Sequence, residues 1–178
     1  NPILITGKHL EPADFKRMIK EDKDVVLVDM RSNYEHKVGR FKGAITFDMD
    51  NLRELPDHMD EIKHLKDKKI ITYCTGGIKC EKASAYMKHK GFNDVYHLEG
   101  GIIEYARQVK NQGLENKFKG KNFVFDERLG EKINDEVIAH CHQCGTPCDN
   151  HTNCVNEACH LLFIQCDECK TQYNNCFI

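Results

Sequence analysis

Hydrophobic and polar positions along the first 110 residues follow two periods, and together they predict an α/β domain. Short apolar runs rich in β-branched residues are typical of buried parallel strands, and they lie at 25–29, 45–48, 70–74 and 94–98. Apolar residues at helical spacing occupy the segments beside them, at 11–20, 51–66, 79–90 and from 102 onward. Strands that alternate with helices predict a central, mostly parallel sheet flanked by helices.

The pattern breaks near residues 111–122, which we interpret as a linker, and residues 123–129 (FVFDERL) predict a strand and a turn. Eight of the ten cysteines follow, between Cys141 and Cys176. Few large apolar residues accompany them, so this part of the chain needs cross-links, such as metal ligation, to stay folded. We therefore predict two domains, an α/β domain at 1–112 and a small cysteine-rich, metal-binding module at 113–178.

The composition of the 178-residue chain, 40% hydrophobic and 30% charged, is that of a globular protein. No apolar run reaches membrane-spanning length and no secretion signal is visible, so we expect no membrane partner and a cytoplasmic location. The net charge of −2, with the acidic excess after residue 110, argues against an independent nucleic-acid binder. The chain begins with Asn1 rather than Met, and we expect upstream residues to be missing.

The other two cysteines flank a glycine loop between a predicted strand and the next helix, with the sequence Cys74, Thr75, Gly76, Gly77, Ile78, Lys79, Cys80. Active sites of parallel sheets lie at the carboxyl ends of strands, and N–H groups at a helix N-terminus favour a thiolate. Paired glycines let the backbone aim several such groups at one sulfur. Cys74 is therefore the candidate nucleophile, with added positive charge from Lys79. Cys80 is either a small packing residue or a resolving thiol.

Two CxxC pairs dominate the tail: Cys141 with Cys144, and Cys166 with Cys169, separated by 21 residues. Two such pairs close a tetrahedral four-thiolate site, and a structural zinc ion is the interpretation that we favour. The remaining cysteines form a candidate second site, namely Cys148, Cys154, Cys159 and Cys176. Nearby histidines are substitute ligands, at positions 140, 142, 151 and 160. An iron–sulfur cluster and redox-active cysteine pairs remain alternatives.

The order VDMRSNYEHKVGRFKGA, YCTGGIKCEKA and VYHLEGGI resembles a rhodanese homology domain over about residues 5–110. Asp29, Arg31 and Glu35 match supporting residues of that family, and we expect Arg31 to pair with Asp29, Glu35 or a backbone carbonyl. Cys74 matches the cysteine that carries a persulfide in sulfurtransferases. The six-residue loop from Cys74 to Lys79 has the length found in sulfur-handling members, and the arginine clamp of related phosphatases is missing.

With the tail included, the chain resembles the bacterial tRNA uridine hydroxylase family. The matching motifs are CTGGIKCEKASAYM, FVFDERL, CHQCGTPCDNHTNC and ACHLLFIQC. The resemblance implies a tRNA-modifying oxidoreductase that installs 5-hydroxyuridine at the wobble position, with tRNA as partner and molecular oxygen as co-substrate. Family members carry a ferredoxin-like domain before the rhodanese domain, absent from this sequence, and an arginine where Lys79 stands.

Two routes from Cys74 to hydroxylation are open. Its thiolate adds to C6 of the uracil and makes C5 electron-rich, or an oxidised or persulfurated form of the cysteine acts on the base. A sulfurtransferase that carries a persulfide on Cys74 is the alternative function, and a non-catalytic, zinc-dependent binding module is a second alternative. The residues by themselves indicate thiol chemistry, and the oxygen chemistry is implied by the resemblance alone.

Overall fold

The computed structural model describes residues 6–178, so the first five residues of the predicted 1–112 domain lie outside the described part. The chain forms two compact units. The first contains the chain up to Asn33 together with Gly43–Asn116, and the second contains Tyr34–Lys42 together with Lys117–Ile178. A short internal segment, Tyr34–Lys42, thus belongs to the unit that carries the cysteine-rich tail.

The strands are numbered along the chain, and nine lie in the described part. They are β1 Lys8–Leu10, β2 Val26–Asp29, β3 Gly39–Phe41, β4 Lys69–Tyr73, β5 Asp94–Leu98, β6 Phe118–Asn122, β7 Glu131–Lys132, β8 His151–Asn153 and β9 Leu162–Ile164. The α-helices are α1 Pro12–Glu21, α2 Asn33–His36, α3 Leu55–His58, α4 Ile78–His89, α5 Gly101–Gln112 and α6 Asp167–Gln172. No helix among residues 6–178 combines the length and apolar character needed to cross a membrane.

The first unit is built on a four-stranded sheet in the order β1-β5-β4-β2, and every neighbouring pair is parallel. The predicted mostly parallel sheet is therefore confirmed. Its central strand β4 places Ile70 and Ile71 in the core with no solvent exposure, as expected for a strand covered on both faces. Val28 on β2 and Met87 on α4 are equally buried in this core.

Residues 51–66 depart from the single helix that their apolar spacing predicts. They form a 3-10 helix at Leu52–Glu54, then α3, then a second 3-10 helix at Met59–Leu65. Pro56 lies within the first turn of α3 and has no N–H to donate to the preceding turn, so a continuous α-helix cannot run through it. The predicted apolar face is nevertheless correct, because Leu55 and Ile62 are buried in the core.

Strand pairing outside the parallel sheet also differs from prediction. Residues 45–48 form no strand and contribute only an isolated bridge between Val28 and Ile45. Strand β3 lies in a predicted loop and β6 in the predicted linker, and the two pair antiparallel with Gly39 opposite Gly120. A Cβ at position 39 would lie 2.0 Å from the carbonyl oxygen of Lys121, so only glycine permits this close approach. The pairing joins segments far apart in sequence, where local pattern carries no signal.

A buried ion pair follows strand β2. The Arg31 side chain donates from Nε and Nη2 to the two carboxylate oxygens of Asp29, at 2.9 and 2.8 Å, and both residues have no solvent exposure. The Arg31 backbone N–H and the Tyr73 hydroxyl also donate to this carboxylate, at 3.0 and 2.7 Å. The carboxylate therefore ties the end of β2 to the end of β4, one residue before Cys74.

We predict that Asp29→Ala lowers the free energy of unfolding by about 3–5 kcal/mol, because removing one member of a buried pair leaves the other charge in a low-dielectric interior. Urea unfolding followed by circular dichroism measures this loss. The matched control is Asp14→Ala, which removes the exposed pair with Arg17 at 2.9 Å and should cost at most about 1 kcal/mol. Equal losses for the two variants would contradict the role assigned to Asp29.

Candidate active site and cysteine clusters

Cys74 lies directly after β4, at the carboxyl end of a central parallel strand, where the chain turns into α4. It is only 2% exposed, so its sulfur depends on protein groups rather than water for stabilisation. The Gly77 N–H donates to the Cys74 Sγ at 3.1 Å. The sequence analysis predicted this arrangement of strand, cysteine and helix start.

The pKa of Cys74 is lowered from its ordinary value to about 6, so the thiolate predominates at neutral pH. The largest cause is a hydrogen bond from the Cys80 thiol, and backbone N–H groups of Cys80, Gly77 and Lys79 add to it. Burial acts in the opposite direction and is outweighed. The loop is thus an anion cradle whose strongest donor is a second sulfur.

Cys80 is fully buried in α4 and its pKa is raised well above the ordinary range, first by burial and then by the hydrogen bond to Cys74. It stays protonated when Cys74 is ionised, and it also has a side-chain hydrogen bond with Thr72. Sequence reasoning assigned Cys80 packing or resolving roles and missed its role as donor. The available signal was its place in the first turn of α4, since helical side chains lean toward the N-terminus and hence toward the loop.

Two glycines hold the loop in place by different means. Gly77 has φ of 89°, in the left-handed region that glycine adopts without strain. Gly101 brings the start of α5 so close that a Cβ there would lie 2.5 Å from the carbonyl oxygens of Cys74 and Thr75. The N–H groups of Ile102 and Ile103 donate to those same carbonyls, at 3.0 and 3.1 Å. The sequence analysis did not assign Gly101 to the site, although the motif VYHLEGGI contains this glycine.

The other predicted loop residues differ in how far they are exposed to solvent. Gly76 is exposed, and a Cβ there would meet nothing within 4 Å, so this glycine is not required by packing. Ile78 is 81% exposed. Lys79 is half-buried in the first turn of α4. Thr75 is also half-buried, and its carbonyl is bound by α5 as described.

The predicted supporting residues fall into two groups. Asp29 and Arg31 form the buried pair described above, which is one of the pairings expected for Arg31. The Asp29 carboxylate accepts a hydrogen bond from the hydroxyl of Tyr73, which directly precedes Cys74 in the chain. Glu35 is also fully buried, in α2, but it belongs to the segment Tyr34–Lys42 of the second unit.

The two CxxC pairs come together in the second unit. One ligand atom from each of Cys141, Cys144, Cys166 and Cys169 lies within 4.8 Å of the others, and this group could hold a metal ion. The sulfurs of Cys144 and Cys166 are 3.7 Å apart. Tetrahedral zinc with bonds of ~2.3 Å requires sulfur separations of ~3.8 Å, and the separation between Cys144 and Cys166 is close to that value.

The four remaining tail cysteines do not gather as one set. Cys148 is buried beside the first cluster, packed with Cys141 and Cys169, and its sulfur accepts a hydrogen bond from the Asn150 N–H at 3.4 Å. The other three lie together elsewhere in the unit, where the Cys154 sulfur is hydrogen-bonded to Cys159 and Cys176. The structure therefore separates Cys148 from the other members of the predicted second site.

We predict that Cys80→Ala raises the pKa of Cys74 toward its ordinary value of about 8.5, because the variant removes the strongest donor to the thiolate. The rate of Cys74 alkylation by iodoacetamide, measured against pH, should shift its midpoint upward from about 6. Cys80→Ser is the matched control: its hydroxyl donates in the same place and should keep the midpoint well below that of Cys80→Ala. Identical midpoints for wild type and Cys80→Ala would show that the Cys80 thiol does not stabilise the anion.

Comparison with known sequences finds two family matches in this chain. Residues 11–108 match the rhodanese-like domain family, and residues 119–178 match the family described as rhodanase C-terminal. The tRNA uridine(34) hydroxylases of Salmonella heidelberg (strain SL476) and Salmonella newport (strain SL254) are each 59% identical over 171 residues. The match covers 96% of this chain and 49% of each relative, so the chain spans about half the length of these curated relatives.

Comparison with solved structures agrees on the fold. The solution structure of the rhodanese-like domain of an Anabaena protein superposes with a TM-score of 0.52 at 17% identity, covering 73% of this chain and 89% of that domain. Similarity at this level of identity speaks to the fold alone. The family match spans more than half of the chain and includes the Cys74 loop. The chain therefore belongs to the rhodanese-like domain family.

Proposed function

We propose that the protein containing this chain hydroxylates C5 of the wobble uridine of tRNA, with Cys74 as its nucleophile. The observation that carries the proposal is the Cys74 thiolate, ionised at neutral pH and cradled at the carboxyl end of β4. The relatives that share 59% of their aligned residues with it are named tRNA uridine(34) hydroxylases. A reactive thiolate and a pyrimidine substrate fit one another chemically, because C6 of uracil accepts sulfur nucleophiles.

In the first proposed step the Cys74 sulfur forms a bond to C6 of the uracil. The electron pair of the C5–C6 double bond moves toward the C4 carbonyl oxygen, so C5 becomes nucleophilic. The hydrogen-bond donors around the sulfur assist both its addition and its departure. Gly77 and Cys80 keep the sulfur ionised before the addition, and they stabilise it again when it leaves as a thiolate. A low thiol pKa favours that departure, since weaker bases leave faster.

Molecular oxygen is the proposed co-substrate. One oxygen atom bonds to C5, the proton on C5 is lost, and the C5–C6 double bond re-forms as the sulfur leaves. The second oxygen atom leaves as water, which requires two electrons and two protons. We assign these to a dithiol reductant that is oxidised to a disulfide. The overall change is then uridine, dioxygen and a dithiol giving 5-hydroxyuridine, water and a disulfide.

We assign tRNA binding to the whole protein, because this chain spans 49% of the length of the relatives that carry the name. The upstream domain expected from the sequence analysis would add to the RNA contacts, as the net charge of the chain is −2. We also propose a cytoplasmic location, where tRNA is found and where thiols stay reduced.

A sulfurtransferase remains the second candidate. The specific observation in its favour is the length of the cradle: six residues from Cys74 to Lys79, with N–H donors that would stabilise a persulfide as well as a thiolate. In that reaction the Cys74 thiolate takes a sulfane sulfur from a donor and passes it to an acceptor nucleophile, with no net oxidation.

We further propose that zinc occupies the four-thiolate cluster and has a structural role. Its residues would be Cys141, Cys144, Cys166 and Cys169, whose sulfurs lie within 4.8 Å of one another. A zinc ion bound there would cross-link the two CxxC turns and would leave no open coordination position for chemistry. Loss of catalysis with intact metal binding would instead fit the third alternative of the sequence analysis, a zinc-dependent binding module.

We predict that the full-length protein transfers label from ¹⁸O-dioxygen to C5 of the wobble uridine, detected by mass spectrometry of digested tRNA. Cys74→Ser should lower the rate by on the order of 10³-fold or more, the scale seen when a nucleophile is removed. Isotopic label is needed because exchanging oxygen for sulfur gives nearly the same mass increase as adding oxygen.

The control for this experiment is Asp14→Ala, an exposed change on α1 that leaves the loop intact. Labelled tRNA from Cys74→Ser at the wild-type rate would remove the nucleophile from the mechanism. An unlabelled product, together with cyanide-dependent turnover of thiosulfate that requires Cys74, would establish the sulfurtransferase instead.

We predict that Cys144→Ser, or chelation of the wild-type metal, unfolds the second unit while the first stays folded. Structural zinc contributes about 10–16 kcal/mol in small metal-binding peptides, and this unit has few large apolar residues to replace it. Hydrogen exchange should show loss of protection in β8, β9 and α6 but not in β4 or β5. Cys148→Ala is the control, since Cys148 lies outside the cluster of four. Unchanged protection after metal removal would contradict a structural role.

A further inference from the structure

A second group of three cysteines lies in the second unit, apart from the cluster of four. The Cys154 sulfur is hydrogen-bonded to the side chains of Cys159 and Cys176, and it accepts hydrogen bonds from the backbone N–H groups of Asn156 and Phe177. Cys159 is exposed, Cys154 is buried and Cys176 is half-buried. The Cys154 thiol thus has two thiol partners, more than a single disulfide can use, and the common preference of such thiols is for a thiophilic metal ion.

The backbone around Cys154 repeats the pattern found at the first cluster. There the Cys141 sulfur accepts from the N–H of Gln143, two residues onward, and from the N–H of Cys166 in the opposite segment at 3.4 Å. The Cys154 sulfur likewise accepts from the N–H two residues onward and from the opposite segment beside Cys176. The Cys141 and Cys154 sulfurs therefore share one hydrogen-bonding pattern, in which each accepts from its own turn and from the opposite segment.

The turns that carry these cysteines are held in a costly backbone conformation. Of the four non-glycine residues with positive φ among residues 6–178, three flank the group: His160 at 46°, Asn174 at 50° and Asn175 at 59°. Such conformations persist where the surrounding structure fixes them. Hydrogen bonds close the turns, from the Cys154 N–H to the carbonyl of Leu161 at 2.8 Å, and from the N–H of residue 155 to the Asn175 carbonyl at 3.2 Å.

We propose that Cys154, Cys159 and Cys176 bind a second metal ion of the zinc class, independent of the Cys141 cluster. Cys148, which the sequence analysis placed in this set, is not a ligand. The three sulfurs are less tightly gathered than the first four, so binding draws the exposed Cys159 turn inward toward sulfur separations of ~3.8 Å. A water molecule or the imidazole of neighbouring His160 completes the tetrahedron. The ion pins the C-terminal segment to the loop that joins β8 and β9, and this role does not depend on the proposed reaction.

The test is the metal content of the whole chain, purified under reducing conditions with zinc and measured by elemental mass spectrometry. The wild-type chain should hold two ions. Cys159→Ser should hold one, and the control Cys148→Ala two. One ion in the wild type, or two in Cys159→Ser, would overturn the proposal.

A second measurement covers the case in which a variant folds poorly. In the wild-type chain, the reaction of Cys159 with a thiol reagent is followed by mass mapping before and after chelation. We expect Cys159, although exposed, to react at least tenfold more slowly in the zinc-loaded chain than in the chelated chain. Equal rates in the two states would overturn the proposal without any substitution, and independently of whether the chain hydroxylates tRNA.

Discussion

A buried sulfur can carry a negative charge only where hydrogen-bond donors replace the water it has lost, and this constraint organises the first unit. Cys74 is 2% exposed, yet its pKa is lowered to about 6. The donors that achieve this are the Cys80 thiol and the N–H groups at the start of α4. They converge only if β4 ends one residue before Cys74, Gly77 adopts a left-handed conformation and α4 begins immediately afterwards.

Other elements of the first unit hold that loop in position through backbone and side-chain hydrogen bonds. The start of α5 binds the carbonyls of Cys74 and Thr75 from the other side, through an approach that only Gly101 permits. The Asp29 carboxylate ties β2 and the Tyr73 hydroxyl together just before the nucleophile. Each contact limits how far the sulfur can move from its donors. A fixed cradle of this kind provides its stabilisation without reorganising during a reaction.

The second unit also brings sulfurs close together, at Cys141, Cys144, Cys166 and Cys169, and this group could hold a metal ion. A cation there would offset the repulsion between adjacent thiolates. Strand β3 adds to this unit through its pairing with β6, and the His151 ring donates from Nε2 to the Tyr34 carbonyl at 2.9 Å. The unit thus combines the β3–β6 pairing with buried apolar residues such as Phe123 and Ile164 and with the group of four cysteines.

The sequence by itself determined three of the four parallel strands (β2, β4 and β5), the helices α1, α4 and α5, the position of Cys74 and the pairing of the two CxxC turns. Each of these rests on residues close together in the chain, where apolar period, glycine placement and cysteine spacing express the local physics directly. Only the tertiary structure decided that β3 pairs with β6, that Cys80 is the main donor to Cys74, and that Cys148 is separated from Cys154. Those outcomes depend on which segments distant in sequence lie next to each other and on the direction in which their side chains point. Packing sets the free energy of such contacts, and no local sequence pattern encodes it.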